Sequence, residues 1–308
     1  MVPPPEILVV CGPTGVGKTA FGIHLARRVG GRIVGADSMQ IYRGMDIGTA
    51  KPTAEEQAAV VHHMVDIIDP GDPFDAAAYA RRADDVVRQL MRDGIVPVVV
   101  GGTGLYIRAL VYGMFASPAV QSELRERLRQ QLACEGAAAM HARLAACDAT
   151  AAARIHPNDA YRIVRALEVA TGTGRPISDH HRAHGFRRAR YRVLTIGLDL
   201  PREQLYARID QRVDAMLAEG LLDEVRGLLK RGLDPGLKAM QSLGYRHMVD
   251  FIQGRLDWEE AVRTLKRDHR RYAKRQLTWF RADPDIHWLA PDQADAAAAL
   301  AAREGSEV

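Results

Sequence analysis

The sequence predicts an α/β fold: a parallel sheet core interrupted by a mostly helical insertion. Three observations carry this. Short β-branched runs alternate with amphipathic stretches from Ile7 to about Ser117, which implies right-handed βαβ units and a parallel sheet. The alternation then gives way to a segment rich in Ala, Leu, Arg and Glu without a strand signal. A strand pattern returns at Tyr191 to Leu198 through Val193, Leu194 and Ile196.

Ile7 to Cys11 is an apolar run closed by Gly12-Pro13 and reads as a buried strand. Thr19 to Val29 places Phe21, Leu25 and Val29 at helical spacing, with Gly30-Gly31 as the stop. Arg32 to Ala36 contains a second strand that ends at Asp37-Ser38. Tyr79 to Arg92 reads as a long amphipathic helix closed by Asp93-Gly94. Ile95 to Val100 is a third strand, ending at Gly101-Gly102-Thr103-Gly104. Gln121 to Ala153 and Asp159 to Thr171 read as helical, and Gly172 to Arg190 is polar. From Pro201 onward the chain is helical again, and 293–302 forms a weakly specified alanine-rich helix. The expected division is core 1–118, insertion 119–196 and core 197–308. A helical second domain in simple tandem would give a similar pattern.

The chain has 308 residues, 47% hydrophobic and 26% charged, which suits one large or two modest globular domains. No apolar run approaches the roughly 20 residues that span a bilayer. Met1 to Glu6 holds three prolines and no basic residue, so no signal peptide is expected. Three cysteines, Cys11, Cys134 and Cys147, form no disulfide framework and no zinc pattern. A cytoplasmic protein is expected, and a monomer. The net charge of +4 permits a polyanionic partner.

Gly12-Pro13-Thr14-Gly15-Val16-Gly17-Lys18-Thr19 fits G-x-x-x-x-G-K-[ST], after a strand and before a helix. The core is therefore P-loop NTPase-like. The glycines let backbone N–H groups turn inward, and the helix adds its positive end. Lys18 brings a point charge to the phosphates, and the Thr19 hydroxyl suits Mg²⁺. A plain glycine-rich turn would leave the lysine unexplained. The motif identifies a phosphate chain, with ATP or another nucleotide among its possible owners. The strand at Val98 to Val100 runs into Gly-Gly-Thr, not into an Asp that would support Mg²⁺, and no N-K-x-D guanine reader follows. Both absences count against a standard nucleotidase.

Asp37 ends the second strand, on the sheet edge that faces the ligand crevice. It reads as a general base or metal support, or else as a helix N-cap. Thr103 ends a third strand on that edge, to orient a substrate or simply to terminate the strand. Residues 263–281 carry Arg263, Lys266, Arg267, Arg270, Arg271, Lys274, Arg275 and Arg281 against the single acid Asp268. Leu265, Tyr272 and Trp279 recur at heptad spacing as one apolar stripe. A basic helix pinned this way suits a phosphate backbone, although short charge runs are usually solvated faces. His62-His63 and His180-His181 lack companions at ligand spacing and read as structural or polar-surface histidines.

A series of motifs makes the likeness specific. It runs through Gly12–Thr19, Asp37-Ser38-Met39-Gln40-Ile41-Tyr42, Met45-Asp46-Ile47-Gly48-Thr49-Ala50-Lys51-Pro52 and His62-His63-Met64-Val65-Asp66. It continues through Gly101–Tyr106, Arg154-Ile155-His156-Pro157-Asn158-Asp159, Leu243-Gly244-Tyr245-Arg246 and Lys274–Arg281. The chain resembles the bacterial tRNA dimethylallyltransferase family over most of its length. The resemblance implies transfer of a dimethylallyl group from its diphosphate to N6 of the adenosine immediately 3′ of a tRNA anticodon. It implies that the phosphate loop holds dimethylallyl diphosphate, with Mg²⁺ on Thr19. It implies that Asp37 takes the N6 proton, that Lys18 and Arg212 hold the diphosphate, and that Thr103 meets the target nucleotide. From spacing alone Arg212 would be a solvated helix arginine.

The resemblance further implies an anticodon stem-loop contact set. It comprises Asp37, Ser38, Met39, Gln40, Thr103 and Arg125, then Tyr161, Arg162, Ile163, Val164 and Arg165. It continues with Ser242, Leu243, Gly244, Tyr245 and Arg246, then Lys274, Arg275, Gln276, Leu277, Thr278, Trp279, Phe280 and Arg281. Met114-Phe115-Ala116-Ser117-Pro118 lacks the family's proline- and aspartate-rich lead-in. The rival readings are a P-loop small-molecule kinase, an isopentenyltransferase acting on free adenylates, and a non-catalytic RNA-binding protein.

Overall fold

A computed structural model describes residues 5–114, 122–185 and 188–303. The chain divides into two compact units, Met1–Tyr112 with Ala189–Val308, and Gly113–Arg188.

The first unit opens with β1 (Ile7–Cys11), α1 (Lys18–Val29), β2 (Gly31–Gly35), α2 (Ala54–Ala59) and β3 (His62–His63). It continues with α3 (Ala76–Arg92), β4 (Val96–Val100) and α4 (Gly104–Tyr112). The second unit holds α5 (Ser122–Cys147), α6 (Ala149–Ala152), α7 (Ala160–Thr173) and α8 (Ile177–His184). The first unit then resumes with β5 (Val193–Leu198), α9 (Arg202–Ala218), α10 (Leu221–Lys230) and α11 (Tyr245–Ile252). It closes with α12 (Trp258–Phe280), β6 (His287–Leu289) and α13 (Ala294–Arg303).

The strands form one sheet in the order β3-β2-β4-β1-β5-β6, and every pairing is parallel. All five residues of β1 are buried, as befits a central parallel strand covered on both faces. Phe21, Leu25 and Ala26 of α1 pack on Leu8, Val10, Val98, Leu194 and Ile196. Burying side chains such as Phe21 and Leu25 contributes about 1.5–3 kcal/mol each. Gly30, at φ 64°, ends α1 in the left-handed conformation that a residue with a Cβ resists. The alanine-rich α13 is seated firmly. Ala294 and Ala297 join the same core, and Asp295 pairs with His24 and Arg28, each at 3.0 Å. The sheet order sets the C-terminal ends of β2, β4 and β1 side by side, where ligands bind in such sheets.

Three sequence expectations change. Val193–Leu198 pairs with β1 along its length, from Ile7↔Val193 to Cys11↔Gly197. The core therefore resumes at Ala189, and residues 189–196 leave the expected insertion because they lead into and form most of a strand of the core sheet. The expected start of the insertion at 119 lies outside the described residues, as does much of the 114–118 segment. The polar stretch 172–190 contains α8, and β3 and β6 add short edge strands the pattern did not announce. No helix among the described residues is long and apolar enough to cross a membrane.

In the second unit, Leu128, Met140, Leu144, Ile163, Ala166 and Leu167 form the core. Gly136, at φ 82°, breaks α5 into two helical segments. Asp148 caps α6 through the Ala151 N–H and also accepts from the Ser178 N–H, so one buried carboxylate ties α6 to α8.

Candidate active site

The phosphate loop joins β1 to α1. Gly12, Gly15 and Gly17 sit at φ 141°, 80° and 105°. At Gly12 a Cβ would also fall 2.7 Å from the Leu198 carbonyl oxygen, so the neighbouring strand excludes any side chain there. Lys18 Nζ donates to the Pro13 carbonyl at 2.7 Å, which arches its side chain back over the loop. Burial and the nearby Arg212 guanidinium lower the Lys18 pKa to about 8, with Asp37 pulling the other way. Thr19 follows in the first turn of α1.

Arg212 comes in from α9. Burial lowers its pKa, opposed by Asp37. Its Nε is buried without a hydrogen-bond partner. A desolvated guanidinium N–H facing no acceptor is costly, and an anion at the loop would satisfy it. The structure thus brings together Lys18, Arg212 and Asp37, which are far apart in sequence.

Asp37 follows β2. Its Oδ1 accepts from the Met39 N–H at 2.8 Å and the Gln40 N–H at 3.4 Å. These bonds fix the carboxylate's orientation and leave Oδ2 for other work. The Ser38 N–H donates to the Thr103 hydroxyl at 3.0 Å, and the Thr103 N–H donates to the Ala36 carbonyl at 3.1 Å. Gln40 Nε2 donates to the carbonyls of Thr49 and Ala50, at 3.2 and 2.9 Å.

Three tyrosines whose part here spacing did not announce lie within electrostatic reach of Asp37, and Glu224 braces the loop at 46–48. Tyr272 of α12 lies against the Thr103 hydroxyl, and burial with the Asp37 charge raises its pKa. Tyr79 and Tyr106 stack with centroids 4.2 Å apart, fully or nearly buried, and neither hydroxyl has a hydrogen-bond partner. Burial raises both pKa values, and the Asp37 charge adds to this. Glu224 of α10 accepts from the N–H groups of Asp46, Ile47 and Gly48 at 2.8, 2.8 and 3.2 Å. It takes the Tyr245 hydroxyl at 2.5 Å as well.

The basic helix α12 is less naked than its sequence suggests. Arg263 pairs with Glu260 at 2.7 Å, Lys266 with Asp214 at 2.6 Å, and Arg270 with Asp210 at 2.5 Å. Arg281 pairs with Asp199 at 2.6 Å. Asp268 gathers Arg246, Arg267 and Arg271. Burial would raise its pKa, but Arg267 and Arg246, with His247, hold it down at about 2. Among the described residues, Lys274 and Arg275 are the two cations of the run without an acidic partner. Arg275 lies over the Tyr272 ring at 5.6 Å.

The heptad stripe is also corrected. The buried face of α12 is Ala261, Thr264, Leu265, Asp268, His269, Ala273, Gln276 and Phe280. Tyr272 is half-buried and Trp279 is 44% exposed, because a straight helix turns every 3.6 residues and drifts off a seven-residue repeat. Trp279 instead lies on Gly104, where a Cβ would fall 2.1 Å from its Nε1.

Burial sorts the remaining contact set. Arg162 is exposed and Tyr161 is 80% exposed, but Ile163 and Val164 are buried in the second unit's core and offer no side chain to a partner. Arg125 and Arg165 pair with the buried Glu168 at 2.7 and 2.8 Å. Tyr245 and Phe280 are likewise core side chains, Gly244 is buried, and Leu277 packs against the core. Ser242 and Leu243 are half-buried, and Arg246 spends its charge on Asp268. Thr278 is exposed, its hydroxyl on the Lys274 carbonyl. Gln276 is buried and faces the loops rather than solvent.

The arrangement can hold an anion and take a proton beside it. Comparison with known proteins adds the chemistry. Residues 40–283 match the family model described as IPP transferase. The chain is 55% identical over 285 residues to a tRNA dimethylallyltransferase of Desulfosudis oleivorans, covering 92% of this chain and 91% of that one. It is 55% identical over 289 residues to a tRNA dimethylallyltransferase of Syntrophobacter fumaroxidans, covering 94% and 84%. Among solved structures it is similar to a tRNA isopentenylpyrophosphate transferase of Bacillus halodurans, with TM-score 0.74, 39% identity, and 98% and 97% covered. A eukaryotic dimethylallyltransferase acting on tRNA matches with TM-score 0.80 and 27% identity, covering 96% of this chain and 77% of that one.

Proposed function

The chain belongs to the IPP transferase family, and on that premise we propose that it is a tRNA dimethylallyltransferase. It moves a dimethylallyl group from its diphosphate to N6 of the adenosine 3′ of the anticodon. One observation carries the reading: Asp37, at the end of β2, lies within electrostatic reach of the cations Lys18 of α1 and Arg212 of α9 and is fastened through Ser38 to Thr103. Donor site and acceptor site are thus built next to each other.

The diphosphate lies in the curled loop, facing the N-terminus of α1, with Lys18 and the unpartnered Arg212 Nε on its oxygens. As the allylic C–O bond breaks, its electron pair leaves with pyrophosphate, and these fixed charges stabilise it. The C–N6 bond forms from the adenine side. Adenine N6 is a weak nucleophile because its lone pair is delocalised into the ring. Asp37 Oδ2 accepts the N6 proton as the bond forms, held in aim by the Met39 and Gln40 N–H groups. The buried faces of Tyr79 and Tyr106 keep this region dry, which protects an allylic cation from water.

The residues fit Mg²⁺ in one particular way. Thr19 stands in the first turn of α1 beside the loop, and among the described residues no group of three His, Cys, Asp or Glu side chains could hold a metal ion. Thr19 would therefore be its one side-chain ligand, with diphosphate oxygens and water completing the shell, as Mg²⁺ prefers. Bound there, Mg²⁺ would neutralise charge on the leaving group. The target base must leave its stack to be reached, which a loop nucleotide does cheaply. Lys274 and Arg275 supply free charge for the RNA backbone.

The test is to incubate the protein with unmodified tRNA and dimethylallyl diphosphate, digest the RNA, and locate the adduct by mass spectrometry. An adduct on the adenosine next to the anticodon supports the reading. Unmodified nucleosides throughout would overturn it.

A further inference from the structure

Gln276 stands on the buried face of α12, 6% exposed, one turn beyond Tyr272. Its Oε1 accepts from the Thr14 N–H of the phosphate loop at 2.8 Å. Its Nε2 donates to the Gly102 carbonyl at 2.8 Å, in the turn that presents Thr103. The partners settle the orientation of the carboxamide, since Thr14 offers only a donor there and Gly102 only an acceptor. Both halves of the side chain are used, and they reach two loops that hold the two substrates in the proposed reaction.

We propose that Gln276 is a positioning residue that sets the spacing between the diphosphate loop and the acceptor turn. The proposal rests on the transferase reading. Only a side chain that both donates and accepts satisfies the two groups. A glutamate would set a carboxylate against the Gly102 carbonyl, and a methionine would satisfy neither. Gly102 makes the fit specific from the other side, because a Cβ there would fall 2.2 Å from Gln276 Nε2. The same helix carries the unpaired cations Lys274 and Arg275 on its exposed side. RNA held on that side is thereby linked through one short stretch of backbone to the alignment of both loops.

The role differs from RNA contact, and the two have opposite kinetic signatures. Gln276→Met nearly preserves volume and removes both bonds. A small misalignment of reactants costs on the order of 10- to 100-fold in rate, so kcat should fall by about that factor while tRNA Kd moves less than about threefold. Gln276→Glu keeps one acceptor and should not rescue kcat. Gly102→Ala displaces the carboxamide from the other end of the bridge, leaving Lys274 and Arg275 in place, and should give the same loss. The double variant should be no slower than the slower single one, because both break one bridge.

A Gln276→Met chain with intact kcat, whether or not tRNA Kd rises, overturns the proposal. So does multiplication of the two effects in the double variant. Thermal melts of each variant guard against misfolding, with Gln276→Glu as the second probe. Hydrogen exchange at the Thr14 amide reads the bridge without any turnover. Faster exchange in Gln276→Met is expected, and unchanged protection overturns the proposal. A wild-type chain that transfers nothing sinks the transferase reading instead, which keeps the two failures apart.

Discussion

The Ser38 N–H donates to the Thr103 hydroxyl at 3.0 Å, across 65 residues of sequence. This bond joins the loop after β2 to the turn after β4, so Asp37 cannot move independently of the Thr103 turn. A base held this way should matter to the chemical step more than to association. Asp37→Ala is expected to lower kcat by about 10²- to 10⁴-fold. Its tRNA Kd, read by filter binding, should stay within about threefold. Equal turnover would remove Asp37 from the role of base.

Lys18 gives a pH signature. Its pKa in the free protein is lowered to about 8, so it loses its charge as pH rises through that value. Pyrophosphate affinity measured by calorimetry should therefore fall across pH 8, and Lys18→Met should flatten the profile. For stability the sign is reversed. Between about 8 and the ordinary lysine value of 10.5 the unfolded chain binds more protons than the folded one. The penalty for burying the charged ammonium is therefore relieved as pH rises through that window. A pyrophosphate affinity that rises above pH 8 would contradict the assignment.

The ion pairs of α12 predict which cations RNA can use. Lys274→Ala with Arg275→Ala should weaken tRNA binding and reduce the slope of log K against log salt by about 1.4 to 1.8. Lys266→Ala, whose ammonium is already on Asp214 at 2.6 Å, should change the slope far less. Equal effects would mean the pairs open on binding and the distinction fails.

The legibility of the fold followed the strength of local signals. Ile7–Cys11 and Ile95–Val100 are β-branched apolar runs that each end at a glycine, and they hold the central strands β1 and β4. His62–His63 and His287–Leu289 were hidden because strands of two and three residues have no period to detect. The phosphate loop could be read because its chemistry is local. Arg212 could not be placed from spacing, since only the packing of α9 brings it to Lys18. The bonds of Gln276 to two loops could not be read from spacing for the same reason. Lys274 and Arg275 beside it are exposed, and the rotation of α12 turns the next residue inward. Ile163 and Val164 went the same way, into the core of α7's unit.

Glu224 predicts a stability effect away from the chemistry. It takes three consecutive backbone N–H groups and the buried Tyr245 hydroxyl. Glu224→Ala leaves that hydroxyl without its partner and should cost about 1–3 kcal/mol in urea unfolding. Hydrogen exchange at residues 46–48 should speed up. Unchanged exchange there would show that the loop holds itself.

The most direct test of the central claim supplies labelled dimethylallyl diphosphate and unmodified tRNA with Mg²⁺, and labelled ATP in a parallel reaction. The account predicts label in the tRNA with the wild-type chain, little with Asp37→Ala, and no phosphate passed from ATP to a small molecule. Label that stays out of the tRNA, with phosphate transferred from ATP, would contradict the account and make this a kinase.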